Sequence, residues 1–158
     1  MRCALIAVLT LGAVAAQALP QQPTPKRKIP CKTPENAASC YWTRGRLTFY
    51  NINVSYRIWK VGTNRILIVY SGPSTYPPHG AATLDATNPE LPRNLEKVYQ
   101  AEYEHKLAVK DPIPEWPDPV FANFEVCPLE PERKGEMQAV CVESAKNIFV
   151  QRRERTEK

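Results

Sequence analysis

Glycine is scarce in this chain, with 6 in 158 residues, and the glycines never cluster. That excludes the Gly-rich loops that cradle phosphates. Histidine is scarcer still: His79 and His105 are the only two. Neither has a second ligand type four residues away, so no helical metal pair forms. The chain contains no Gly-x-Ser-x-Gly elbow, no His-Glu-x-x-His and no P-loop. It also lacks a Cys-x-x-Cys pair, which argues against a zinc site. No catalytic set is recognisable, and no cofactor is expected. Carboxylate pairs such as Glu102/Glu104 and Glu130/Glu132 sit in polar stretches, where solvated surface acids are the simple reading. Past the first residues, no apolar run is long enough for a membrane helix, so the mature chain is expected to be soluble.

What is present begins at the start of the chain. Met1-Arg2 is a short basic opening. An apolar run follows from Ala4 to Ala16, and Ala16-Gln17-Ala18 has the small-x-small form that signal peptidase accepts. Together these read as a secretory signal peptide over 1–18. Secretion implies an oxidising compartment, so cysteines should pair.

Five cysteines occur in the sequence, and Cys3 leaves with the signal. Cys31, Cys40, Cys127 and Cys141 remain, and four cysteines allow three connectivities. The pairing Cys127–Cys141 is favoured. Between them lies a polar Pro/Glu/Lys stretch around Lys134-Gly135, which reads as the turn of a hairpin. Cys31–Cys40 follows by exclusion.

The 16 prolines mark loops and leaders. Residues 19–39 are rich in Pro and Lys with almost nothing to bury, which predicts a disordered leader. Lys26-Arg27 is a dibasic pair of the kind that secretory proteases cut, so a propeptide would end at 27. A single β-rich domain is expected over 40–151, and a charged tail over 152–158. The net charge of +5 is concentrated in Lys26-Arg27-Lys28 and Arg152-Arg153-Glu154-Arg155. Such clusters are solvated tails or contacts for an anionic polysaccharide, a lipid surface or nucleic acid.

Arg46 to Tyr50 alternates polar and apolar residues, as a half-buried strand does. Val54 to Val61 is a second strand, with Ser55, Arg57 and Trp59 on one face. Gly62-Thr63-Asn64 is a turn, and Arg65 to Tyr70, apolar on both faces, is a central strand. Ser71 to Pro92 is a long loop. Pro92 to about Leu107 is the one convincing helix, with Leu95, Val98, Tyr99 and Glu102 along a stripe. Strands then follow at 120–127, 137–143 and 147–151, with Ser144-Ala145-Lys146 as a break. The expected class is all-β and mainly antiparallel: a small β-sandwich or a partly open β-barrel with one short helix.

The aromatic residues carry the functional reading. Trp59 shares a face with Arg57, a mixed polar and aromatic surface of the sort that binds sugars or protein partners. Trp42 and Trp59 would otherwise fill the core. Tyr76 in the long loop and Trp116 between two prolines complete the expected binding set of Arg57, Trp59, Tyr76 and Trp116. Asn53-Val54-Ser55 is a glycosylation sequon at a turn edge. The expected partner is a glycan or an extracellular protein, with no nucleic acid expected, as for a small secreted effector-like binding protein without enzymatic activity. An accessory enzyme or small-ligand barrel would instead require an enclosed pocket. A secreted ribonuclease would require His79, Arg57 and Glu125 to converge.

Overall fold

The computed structural model describes residues 27–50, 55–77, 84–113 and 117–152. Strand β1 (Tyr41–Tyr50), β2 (Ser55–Lys60) and β3 (Ile66–Tyr70) form the expected antiparallel meander. A short helix α1 (Leu84–Thr87) and the main helix α2 (Arg93–Ala108) precede β4 (Val120–Pro128) and β5 (Gln138–Val150). The strand order β1-β2-β3-β5-β4 closes on itself, because β4 pairs back onto β1. The molecule is therefore a closed five-stranded barrel with Greek-key connections, not a sandwich.

Closure depends on β5. Its first residues pair parallel to β3 through Leu67↔Gln138 to Tyr70↔Cys141, the one parallel contact in an otherwise antiparallel sheet. The same strand then runs antiparallel to β4 as far as Val120↔Val150. Sequence composition splits this stretch into two strands at Ser144-Ala145-Lys146, but the chain stays extended. Asn147 takes a left-handed φ of 55°, and the β4–β5 register shifts between Phe121 and Asn123 and between Glu125 and Val126. Bulges of this kind bend a strand without ending it. Gly45 lets β1 pack closely against the barrel interior. It faces inward, and a Cβ there would lie 2.4 Å from Ile58 Cγ2 and 3.1 Å from Phe124 Cδ2.

Alternating residues fill the barrel. Leu47, Ile58, Val69, Val120, Phe124, Val126, Val140 and Val142 are each fully buried. Leu91 and Leu95 add to the same core, with Val98 and Tyr99 of α2 packed against it. The helix stripe foreseen in the sequence is present, but it continues into charge: Glu102 and Lys106 are also buried. The Lys106 ammonium meets Asp118 at 3.2 Å, just ahead of β4. Arg152, which composition places in the tail, lies 3.1 Å from Glu102.

The N-terminal arm departs most from expectation. Residues 27–39 read as leader, yet they are fastened along the barrel. The Arg27 guanidinium donates to the carbonyls of Val142, Ser71 and Glu90. The Glu90 carboxylate accepts from the backbone N–H groups of Lys28 at 2.8 Å and Ile29 at 2.7 Å. Gly72 lets the arm pass, since a Cβ there would meet the Pro30 carbonyl oxygen at 2.3 Å.

The disulfides explain this anchoring and correct the expected pairing. They are Cys31–Cys141 and Cys40–Cys127, with Cα separations of 5.6 and 4.1 Å. Cys127 and Cys141 do face each other across the β4–β5 hairpin, so the hairpin reading is right. Each of them, however, bonds outward to a cysteine of the arm. The two disulfides tie the arm covalently to the hairpin, and the hydrogen bonds of Arg27 and Glu90 hold its first residues.

Candidate binding face

Once Leu47, Ile58 and Val120 point inward, their neighbours along each strand must point out. Register then assembles the outer surface. Ile66 of β3 pairs with Trp59 of β2, Trp59 with Arg46 of β1, Arg46 with Phe121 of β4, and Phe121 with Phe149 of β5. This is one cross-strand row over all five strands. Beside it runs a second row: Arg44, Asn123 and Lys146. A third holds Trp42, Glu125 and Ser144. On the opposite flank, Arg57 pairs with Thr48 and Ser55 with Tyr50.

The aromatic rings on this face are not core filler. Trp42 is 46% exposed, Trp59 39% and Phe149 62%. They are interleaved with cations. The Lys146 ammonium sits 4.0 Å from the centroid of the Trp42 ring. The Arg57 guanidinium lies 4.9 Å from the centroid of the Tyr50 ring, and its Nε donates to Ser55 Oγ at 3.1 Å. The Trp59 indole N–H donates to the Thr63 carbonyl at 2.7 Å, so the β2–β3 turn fixes the ring. A ring held this way loses little freedom when a ligand stacks on it.

Glu125 is the acid within these rows, and it is neutralised. Lys32 of the arm contacts it at 2.8 Å, and Ser144 Oγ donates to it at 2.8 Å. The hydrogen bond from Lys32, helped by Ser144, holds the Glu125 carboxyl below the usual carboxylate range against the opposing pull of burial. Arg44, Arg46, Arg57 and Lys146 thus set the sign of the surface.

The structure brings Arg57 and Trp59 together on this face, two residues apart on one strand. Tyr76 lies elsewhere. It packs edge-on against Tyr70, 5.2 Å between centroids, and its hydroxyl donates to Glu130 at 2.6 Å. Desolvation and the bond to Glu130 push its phenol up to about 12. It ties the segment after β3 to the β4–β5 connection. Trp116, Asn53 and His79 lie outside the described residues. Arg44, Arg46, Trp42, Phe121, Phe149 and Lys146 were not picked out as binding residues by sequence reading. Their signal is strand alternation, but joining them requires the β1–β4 and β4–β5 registers.

Arg57 and Glu125 stand opposite Thr48 and Trp42 of β1, which separates them by about 20 Å along the strand. Apolar side chains pack the barrel interior among the described residues. Grooves of about 620 Å³ under the arm, beside Arg27 and Glu90, and about 470 Å³ between the β2–β3 and β4–β5 turns, both lie outside the barrel. The sulfur atoms of Cys31, Cys127 and Cys141 lie within 4.8 Å of one another, but all are engaged in disulfides and are not the thiolates a metal needs.

Comparison with protein-family models, with curated proteins and with solved structures gives no match.

Proposed function

We propose that this protein is a secreted binding module for an acidic glycan, one carrying carboxylate or sulfate groups. The observation that carries this reading is the outer surface of β1, β2 and the β4–β5 pair, where four cationic side chains are interleaved with exposed Trp42, Trp59 and Phe149. Sugar rings stack on indoles through their C–H faces, and anionic substituents take hydrogen bonds from guanidinium groups. Some five-stranded Greek-key barrels bind oligosaccharides and oligonucleotides on the surface of their second and third strands; this is analogy of architecture only. Trp59 and Ile66 occupy that surface here. The signal-like start and the two disulfides support extracellular life. No helix of the described residues is long and apolar enough to cross a membrane.

The test is binding to immobilised polyuronate and sulfated polysaccharide over a salt series. A Trp42→Ala/Trp59→Ala variant is expected to lose about 2 kcal/mol, roughly 30-fold in Kd. An Arg44→Ala/Arg46→Ala variant should bind more weakly and show a flatter salt dependence. Undiminished binding by the double tryptophan variant would refute the site. Binding of the wild type to neither glycan, with capture of a protein ligand through the same tryptophans, would overturn the ligand class.

A further inference from the structure

The two disulfides are close enough to act on each other. Cys31, Cys127 and Cys141 are at most 1% exposed, and their Sγ atoms all lie within 4.8 Å of one another. Cys40 differs, being only half-buried at the start of β1. Cys40–Cys127 is therefore the bridge with the more exposed residue, and Cys40 is the expected point of attack for an external thiolate. The leaving group is then Cys127, inside the sulfur cluster and beside the intact bridge Cys31–Cys141.

We propose that these four cysteines form one exchange centre, in which reduction at Cys40 is passed on to Cys31 and releases the arm. In the first step a dithiol attacks Cys40 Sγ. The Cys40–Cys127 bond breaks, a mixed disulfide forms on Cys40, and Cys127 leaves as thiolate. The second thiol of the reagent resolves the mixed disulfide, which leaves Cys40 as a thiol and the reagent as its cyclic disulfide. In the next step the Cys127 thiolate attacks Cys141 Sγ. The Cys31–Cys141 bond breaks, Cys127–Cys141 forms, and the Cys31 thiolate takes a proton from water. One dithiol is oxidised and two arm cysteines are reduced.

Cys141 is the expected target because it is the register partner of Cys127. Directly opposed residues of antiparallel strands have Cα atoms about 4.5–5.5 Å apart, within the span a disulfide needs. The product bridge staples the β4–β5 hairpin, so the barrel keeps a cross-link while the arm loses both of its own. The arm also carries Lys32, the partner of Glu125, so its release alters the charge of the outer face.

The experiment is partial reduction of the whole protein with limiting dithiothreitol at neutral pH. Acid quenching, alkylation and peptide mapping follow. The expected first product carries label on Cys31 and Cys40 and contains a linked Cys127–Cys141 peptide. A first product with Cys127 labelled and Cys31–Cys141 intact would overturn the proposal. A Cys40→Ser variant gives a second reading: of Cys31, Cys127 and Cys141, the one left as a free thiol should be Cys31. Mapping of that thiol to Cys127 would count equally against exchange. If the variant is not recovered folded, the wild-type product decides alone.

Discussion

Loss of both disulfides is expected to unfold this protein. Each closes a long ring in the unfolded chain, spanning 110 and 87 residues. They are nested, however, so their effects differ with order. While Cys40–Cys127 is intact, Cys31–Cys141 closes only a ring made of the short segments beyond it, about two dozen residues. A ring of that size contributes about 3.5 kcal/mol. The last bridge to go releases a constraint of about 4.5 kcal/mol. The sum, about 8 kcal/mol, is comparable to the whole stability of an ordinary domain. A Cys31→Ala/Cys141→Ala variant should therefore fold with a lowered urea midpoint. Replacement of all four cysteines by alanine should leave no cooperative transition. A four-alanine variant that unfolds cooperatively near the wild-type midpoint would show that the core needs no covalent support.

Asp118→Ala is expected to cost about 3–5 kcal/mol for a different reason. Lys106 and Asp118 side chains are 3% and 4% exposed. Removing the carboxylate takes an ion-pair partner from a buried ammonium group at the joint between α2 and the segment entering β4, and breaking a buried pair by removing one partner carries a penalty of that size. The pair itself is not expected to be worth as much. Two charges taken from water give up most of what their attraction returns. A Lys106→Met/Asp118→Leu variant should recover much of the loss. The cycle of Lys106→Met, Asp118→Leu and this double variant, read from urea midpoints, separates the two effects. Equal losses in the single and double variants would mean that the pair acts only by filling space.

The contrast between what composition reveals and what it hides follows from distance along the chain. The meander of β1, β2 and β3 and the helix over Arg93–Ala108 were legible because their signals are local: alternation, a short polar turn, and a stripe led by Leu95. The hairpin of Cys127 and Cys141 was legible for the same reason. The disulfide pairing was not, because the arm's destination is set by partners about a hundred residues away. Nothing in the polar segment from Lys28 to Ser39 announces that Glu90 will accept its backbone N–H groups. The unity of β5 was hidden by a polar Ser-Ala-Lys stretch that the bulge at Asn147 absorbs. The candidate binding face was half legible. Arg57 and Trp59 share a strand, so period-two reading finds them. Arg46, Phe121 and Phe149 join them only through pairing between strands far apart in sequence. Tyr76 looked like an exposed loop aromatic because sequence alone does not show Glu130 beneath its hydroxyl.

The most direct measurement is an NMR titration of the whole protein with a short oligouronate, following backbone amides and indole N–H signals at physiological salt. The expected shifts concentrate on Trp42 and Trp59 and on the amides of Arg44, Arg46, Arg57 and Lys146, and saturate with a single Kd. Shifts confined to the basic termini, or no shifts on β1 and β2 at saturating ligand, would contradict a glycan-binding face.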